Sequence, residues 1–249
     1  MTAQDREIPS QLIEILRSSQ RVAVLTGAGI SAESGIPTFR QAQSGLWAQY
    51  DPAELATHHA FERNPRLVWE WYTWRRNLIS KATPNPGHRA LVELETLFPE
   101  FTLITQNVDG FHRLAGSMNV IELHGNIFRT KCSREGGIVP EWPETTEIPP
   151  HCPHCNGLLR PDVVWFGESL PAEALNTAYQ AMNSCQVLFS IGTSSLIEPA
   201  ASLPYVALNN DVTVVEINPL NTPLTPIVNF SLPHAAGEIL PRLVSAIAS

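Results

Sequence analysis

Residues 22–35 read VAVLTGAGISAESG, and this stretch decides the expected fold. A short apolar, β-branched run leads directly into the spacing Gly-x-Gly-x-x-Ala, the relaxed form of the fingerprint found where a strand enters a helix in dinucleotide-binding folds. Such a turn lets backbone amides approach a pyrophosphate, although it can also serve only as a tight turn. The positions of this fingerprint are Gly27, Gly29 and Ala32.

Further apolar runs predict buried strands at residues 22–25, 101–104, 120–123, 187–191 and 212–217. Helical patterns cover residues 10–19, 64–81, 88–97 and 171–183. Because strands and helices alternate, we predict an α/β fold, a Rossmann-like parallel sheet with helices on both faces.

Two stretches interrupt this alternation within the single domain predicted for residues 1–249. Residues 128–159 hold three of the four cysteines and predict a small inserted zinc-type module. Residues 38–83 hold four of the six tryptophans and predict a helical subdomain. Residues 20–127 and 160–249 are then expected to form the large cofactor-binding part.

Composition limits the class of protein. The 249 residues are 43% hydrophobic, which permits a substantial core and excludes wholesale disorder. The net charge of −8 argues against a nucleic-acid partner. The chain has no apolar run long enough for a membrane span and no export-like segment near its start, so we expect a cytoplasmic protein without a membrane partner. The sequence is compatible with a monomer and does not specify the oligomeric state.

Polar residues follow several of the predicted strands. In an open parallel sheet these positions fall along one edge, where ligands bind. Four polar strand ends beside a glycine-rich turn favour a binding crevice over a set of helix caps. They are Gln106, Asn107 and Asp109, then His124, then Gly192, Thr193 and Ser194, and finally Asn218. An acidic residue at the end of the second strand, expected of a dehydrogenase, is missing, because the sequence predicts a loop at residues 37–40 instead.

Several motifs occur in one order along most of the chain and resemble the sirtuins, the Sir2 family of NAD-dependent protein-lysine deacylases. They are GAGIS (27–31), PTFR (37–40), TQNVD (105–109), ELHG (122–125), VWFGE (164–168) and GTS (192–194). The resemblance implies that NAD is consumed as a co-substrate. It also implies that the acyl-lysine carbonyl oxygen attacks the ribose carbon as nicotinamide leaves, so that lysine and O-acyl-ADP-ribose are released.

The resemblance also assigns residues. It implies catalytic roles for His124, Asn107 and Asp109, with His124 as the general base toward a ribose hydroxyl. Residues 163–168 look like an extended edge that pairs with a peptide by strand addition, with Val164 and Phe166 as contacts and residues 196–199 opposite. The expected partners are acylated lysines of many proteins. The implied cofactor contacts are Gly27, Ala28, Gly29, Ser31, Phe39, Arg40, Gln106, Asn107, Asp109, Gly192, Thr193, Ser194, Asn218 and Ala236.

Tyr72 and Arg75 are three residues apart in a predicted helix and therefore share a face. A phenol beside a guanidinium fork suits a carboxylate. The same Tyr-x-x-Arg marks the desuccinylase and demalonylase branch that the chain resembles, so we expect succinyl and malonyl groups, and also acetyl groups, to be removed. Without this resemblance, Arg75 would be interpreted as a solvent-exposed charged residue on a helix surface.

The cysteines depart from the family pattern of two Cys-x2-Cys pairs. Cys152 and Cys155 form an intact pair, whereas Cys132 is followed by Glu135 where a second cysteine is expected. Glu135, His151 or His154 can each complete a structural zinc site. The alternative is a lost site with three free thiols. Cys185 precedes an apolar run and is expected in the core.

Other activities remain as alternatives at this stage. An NAD glycohydrolase or an ADP-ribosyltransferase on the same fold would need no acyl peptide, and the predicted acyl and peptide contacts argue against both. A non-catalytic NAD-binding module would need no general base, and His124 argues against it.

Overall fold

Eight strands form two sheets in the computed structural model, which describes residues 8–37 and 50–249. The predictions for Phe39 and Arg40 therefore lie outside the described residues. Within the described part, the strands are β1 (Arg21–Thr26), β2 (Glu100–Thr105), β3 (Val120–Glu122), β4 (Gly125–Cys132), β5 (Leu159–Val163), β6 (Val187–Ile191), β7 (Thr213–Ile217) and β8 (Phe230–Leu232).

Helices connect most of these strands, and a 3-10 turn at Ala200–Ser202 precedes the ninth of them. Among the described residues they are α1 (Ser10–Ser18), α2 (Gly29–Ala32), α3 (Pro52–Leu55), α4 (His58–Arg63), α5 (Pro65–Ile79), α6 (Pro86–Leu97), α7 (Phe111–Ala115), α8 (Ala172–Ser184), α9 (Leu203–Asn209) and α10 (Ala236–Ala248). None of them combines the length and the apolar character that a membrane span requires.

The main sheet has six strands, all parallel, in the order β3-β2-β1-β6-β7-β8. Successive residues of β1 point to opposite faces: Val22 and Val24 enter one hydrophobic cluster, and Ala23 and Leu25 enter another. Helices α1, α6 and α10 cover the first face, and α8 and α9 cover the second. The predicted parallel sheet with helices on both faces is confirmed.

The strand order reverses between β1 and β6. The chain moves outward from β1 to β2 and β3 on one side, and from β6 to β7 and β8 on the other. The loops after β1 and β6 therefore diverge and leave a crevice at the carboxyl edge, the usual ligand site of an open α/β sheet. This topology brings the polar strand ends together.

The second sheet is small. Strands β4 and β5 pair in antiparallel fashion; Cys132 ends β4, and Cys152 and Cys155 lie in the connection to β5. Helices α3, α4 and α5 pack into a separate hydrophobic cluster, which also receives Trp165. The small sheet begins at Gly125 and ends at Val163, a few residues outside the predicted insert. The division of the chain into domain parts stays a prediction.

Candidate active site

The turn after β1 packs directly against the end of β6. The Gly27 amide donates to the Ile191 carbonyl oxygen at 2.9 Å, and the Gly29 amide donates to Gly192 O at 2.8 Å. A Cβ atom at Gly27 or Gly29 would lie 2.8 or 2.7 Å from that same Gly192 oxygen. These glycines are therefore required by the close approach of two backbones, a reason that adds to the cofactor contact predicted from sequence.

Ser31 joins two of the predicted catalytic residues. Its hydroxyl donates to Asp109 Oδ2 at 2.7 Å and accepts from Asn107 Nδ2 at 3.2 Å. Asn107 Nδ2 also donates to Gly27 O at 3.1 Å, and Asp109 Oδ1 accepts the Phe111 amide at 2.9 Å. Burial raises the pKa of Asp109, whereas the two hydrogen bonds that it accepts lower it. The turn after β1 and the loop after β2 thus form one polar unit.

His124 lies between β3 and β4, and its orientation is fixed by the loop after β2. Nδ1 is 2.9 Å from the carbonyl oxygen of Gln106. Because a carbonyl oxygen only accepts, Nδ1 carries the proton and Nε2 presents its lone pair. Burial lowers the pKa of His124, and the bond to Gln106 opposes this shift. His124 is therefore a neutral imidazole at pH 7, able to accept a proton at Nε2.

The remaining predicted cofactor residues line the loops after β2, β6 and β7. Gln106 Nε2 donates to Thr193 Oγ1 at 3.1 Å, and Asn218 Nδ2 donates to Thr193 O at 2.9 Å. Ser194 is half-buried beside Thr193. Ala236 is the first residue of α10, where the neighbouring Gly237 amide donates to Glu33 at 2.8 Å. Helix α10 therefore begins beside the end of α2.

A buried histidine pair beneath this edge was missed from sequence. His88 Nδ1 accepts the Asn85 amide at 3.3 Å, and its Nε2 lies 3.5 Å from Ser31 Oγ. His112 Nε2 lies 2.9 Å from Thr26 Oγ1, and the two rings are 5.0 Å apart. Burial lowers the pKa of His88 to about 4; burial and the neighbouring His88 lower that of His112 to about 3. The one sequence signal was Asn85 three residues before His88, the spacing of a capping box.

Tyr72 and Arg75 both lie on α5, three residues apart and therefore on one face of the helix. The Tyr72 side chain is 2% exposed, and its oxygen accepts the Trp165 indole N–H at 2.9 Å. Burial raises the pKa of Tyr72 to about 12, so the phenol keeps its proton. Burial also lowers the pKa of Arg75, against the attraction of Tyr72 and of Asp109. A neutral donor and a desolvated cation therefore lie close to the predicted catalytic loop.

The predicted peptide edge is already engaged in part. The amides of Val164 and Phe166 donate to His124 O and Ala56 O, both at 2.9 Å. The strand ends at Val163, so residues 164–166 follow it as an irregular segment. Strand addition through these two N–H groups is therefore blocked, and a peptide would have to pair with other backbone groups. Phe166 and, opposite, Leu196 have exposed side chains.

Three cysteines and one glutamate form a tight cluster in the small module. The ligand atoms of Cys132, Glu135, Cys152 and Cys155 all lie within 4.8 Å of one another. Four ligands of one tetrahedral zinc ion lie about 3.3–3.8 Å apart, so the donor set fits this metal. His151 Nδ1 instead faces the Asn156 carbonyl oxygen at 2.9 Å. Cys185 is buried in the core, as predicted.

Comparison with known proteins identifies relatives across the whole chain. Residues 27–199 match the Sir2 family. The chain is similar to the NAD-dependent protein deacylase of Aquifex aeolicus (strain VF5), with 53% identity over 223 residues, 89% of this chain and 93% of that protein. It is also similar to the NAD-dependent protein deacylase of Pyrococcus abyssi (strain GE5 / Orsay), with 50% identity over 243 residues, 95% of this chain and 97% of that protein.

Solved structures of similar fold carry ligands. A Sir2 homolog–NAD complex superimposes with a TM-score of 0.90 at 44% identity, covering 97% of this chain and 94% of that chain. A mutant Sir2 homologue with 2'-O-acetyl ADP ribose gives 0.89 at 44% identity, covering 97% of both chains. A Sir2–p53 peptide–NAD+ complex gives 0.83 at 29% identity, covering 96% of this chain and 98% of that chain. The family match and the identity over nearly the whole length show that this chain belongs to the Sir2 family.

Proposed function

We propose that this protein removes acyl groups from protein lysines at the expense of NAD and prefers succinyl and malonyl over acetyl groups. Its relatives are named NAD-dependent protein deacylases, and similar structures hold NAD or acetyl ADP ribose. The observation that carries the acyl preference is the pairing of Tyr72 and Arg75 on one face of α5.

The proposed chemistry begins with positioning. Asn107 and Asp109, held by Ser31, orient the nicotinamide ribose, while Thr193 and Asn218 hold the far end of NAD. As nicotinamide leaves, the acyl oxygen bonds to the ribose carbon. His124 Nε2 then takes a proton from a ribose hydroxyl, which becomes the nucleophile toward the acyl carbon. Water finally releases free lysine and O-acyl-ADP-ribose.

The proposed acyl preference follows from charge and burial. A guanidinium binds a carboxylate through two parallel N–H bonds, and a neutral phenol can donate a third. Desolvation is the largest influence on the pKa of Arg75, so an anion brought beside this cation gains a strong, poorly screened attraction. An acetyl group offers no such anion. The preference therefore comes from the distal carboxylate of the acyl chain.

We also propose a structural zinc ion held by Cys132, Glu135, Cys152 and Cys155. When bound, the ion would cross-link the loops between β4 and β5, a module with few buried apolar residues of its own. The protein's own part is to supply three thiolates and one carboxylate from two loops. His124 immediately precedes β4 and Cys132 ends it, so the length of this strand separates the proposed metal from His124 and the metal takes no part in the reaction.

The test is a comparison of one lysine peptide carrying either an acetyl or a succinyl group, with and without NAD. We expect the kcat/KM for the succinyl peptide to exceed that for the acetyl peptide by a wide margin. In Arg75→Met this ratio should fall by about 100-fold, because the buried pair between the guanidinium and the succinyl carboxylate is lost. Arg66→Met is the matched control, since Arg66 lies on the same helix but is exposed and paired with Glu70.

The outcomes separate the competing activities. Equal losses on both peptides in Arg75→Met would leave the ratio unchanged and contradict the proposed role of Arg75 in the acyl preference. Consumption of NAD while both peptides keep their acyl groups would favour the NAD glycohydrolase, and transfer of ADP-ribose to protein would favour the ADP-ribosyltransferase. Mass spectrometry of the peptide and of O-acyl-ADP-ribose distinguishes all three.

A further inference from the structure

Trp165 lies between two residues predicted to contact the peptide, and its side chain is turned into the protein. Phe166 is 44% exposed, whereas Trp165 is 1% exposed and joins the hydrophobic cluster around α5. One short stretch therefore exposes Phe166 at the predicted peptide site and buries the preceding residue, Trp165, against Tyr72 of the predicted acyl pocket.

The indole reaches one atom of the acyl pair. Trp165 Nε1 donates to the Tyr72 oxygen at 2.9 Å, and the two rings are stacked at 29° with centroids 6.4 Å apart. A phenol oxygen that accepts one bond still has its own hydrogen to donate. With the acceptor side of Tyr72 taken by the indole, the hydroxyl hydrogen is directed toward a different partner.

Trp165 is itself held on its other side. The guanidinium carbon of Arg160 lies 3.2 Å from the centre of the Trp165 ring. Arg160 binds both carboxylate oxygens of Glu168, at 2.5 and 3.0 Å, and Glu168 in turn accepts the Trp165 amide at 2.9 Å. The ring and the backbone of Trp165 are therefore fixed by the same ion pair. An indole fixed in this way can hold a neighbouring hydroxyl in one orientation.

We propose that Trp165 is a positioning residue for acyl specificity, which orients the Tyr72 hydroxyl so that its hydrogen meets the carboxylate of an acidic acyl group beside Arg75. The inference rests on the proposed function, the preference for acidic acyl groups. It adds a residue that touches neither the acyl group nor NAD and acts through Tyr72. It also predicts that the segment proposed to contact the peptide affects the pocket proposed to contact the acyl chain, through the hydrogen bond from Trp165 to Tyr72.

The test is a double-mutant cycle with Trp165→Phe and Tyr72→Phe, in which the ratio of kcat/KM for succinyl over acetyl peptide is measured. Trp165→Phe removes the indole N–H together with part of the ring, and this single change should lower the ratio about fivefold, the equivalent of one neutral hydrogen bond, mainly through the KM of the succinyl peptide. In the Tyr72→Phe background the same change should alter the ratio less than about twofold, because the hydroxyl to be oriented is gone. The control is Trp69→Phe: Trp69 lies on the same helix as Tyr72 but packs against Trp142, so this change should leave the ratio unchanged.

Each outcome of this cycle either supports or overturns the positioning role of Trp165. An equal fall of the ratio in both backgrounds would show a packing effect and overturn the inference. An unchanged ratio in Trp165→Phe would overturn it too, while the proposed function stands if Arg75→Met still abolishes the preference. A wild-type enzyme with no succinyl preference overturns both, and this is visible before any variant is made. If circular dichroism shows that Trp165→Phe is unfolded, the same cycle is run with Trp165→Leu.

Discussion

Replacing Gly192 by alanine tests the close contact between the turn after β1 and the end of β6. Gly192 has φ +59°, and a Cβ atom there would lie 2.5 Å from the Ile30 amide nitrogen and 2.8 Å from the Gly29 carbonyl carbon. The left-handed conformation costs a non-glycine residue about 1–2 kcal/mol. Forcing backbone atoms apart in a packed region costs about 1–3 kcal/mol more. We expect Gly192→Ala to lower the free energy of unfolding by about 2–5 kcal/mol.

Gly35→Ala is the matched control. Gly35 has φ +79°, but no atom lies within 4 Å of its hypothetical Cβ, so only the conformational cost applies. Any stabilisation from a stiffer unfolded chain is the same for both variants and cancels in their difference. Urea unfolding followed by circular dichroism should therefore give a difference of about 1–3 kcal/mol, and calorimetry should show weaker NAD binding in Gly192→Ala alone. Equal destabilisation of the two variants would refute the packing argument.

Three further predictions concern protons and metal. Burial lowers the pKa of His124, and only the neutral imidazole accepts a proton, so the acid limb of the kcat/KM profile should lie below pH 6.5. His124→Ala should lower kcat at least about 100-fold, and an acid limb above pH 7 would contradict the assignment of His124 as the base. His88 and His112 bind protons more readily in the unfolded chain than in the folded protein, so the free energy of unfolding should fall as pH drops from 6.5 toward 4, by up to about 1.4 kcal/mol per pH unit for each histidine. Urea unfolding at several pH values measures this slope, which His112→Gln should flatten. In the presence of a chelator, Glu135→Cys should retain zinc longer than the wild-type protein, and Glu135→Ala should lose it sooner. Inductively coupled plasma mass spectrometry measures the zinc content, and identical contents in all three proteins would exclude Glu135 as a ligand.

The sheet was predictable because its central strands carry their signal locally. Residues 22–25 are a short apolar run that is buried on both faces, and such a run stands out in any sequence. Strand β8 was missed because Phe230–Leu232 is a three-residue strand at the sheet edge. Helix α10 was missed because Pro241 within it is normally a helix breaker. Tertiary packing on α1 and α6 overrides that local signal.

The site was predictable as far as topology alone arranges it. Parallel strands place their carboxyl ends on one edge, so the sequence alone predicts that Asn107, His124 and Thr193 lie together. Contacts between elements distant in sequence follow no such rule. The Trp165–Tyr72 bond spans 93 positions, and the approach of His88 to His112 depends on how α6 and α7 pack. Neither contact leaves a periodic pattern that sequence reasoning can detect.

The separate hydrophobic cluster that carries α5 has an evolutionary consequence. Tyr72 belongs to this cluster, whereas the two clusters on the faces of the main sheet support the strand ends that are proposed to hold NAD. Substitutions on α5 can therefore accumulate without disturbing the packing beneath the sheet. Under the proposed function, a lineage can exchange one acyl preference for another in a few mutational steps, while selection preserves the strand ends proposed to hold NAD.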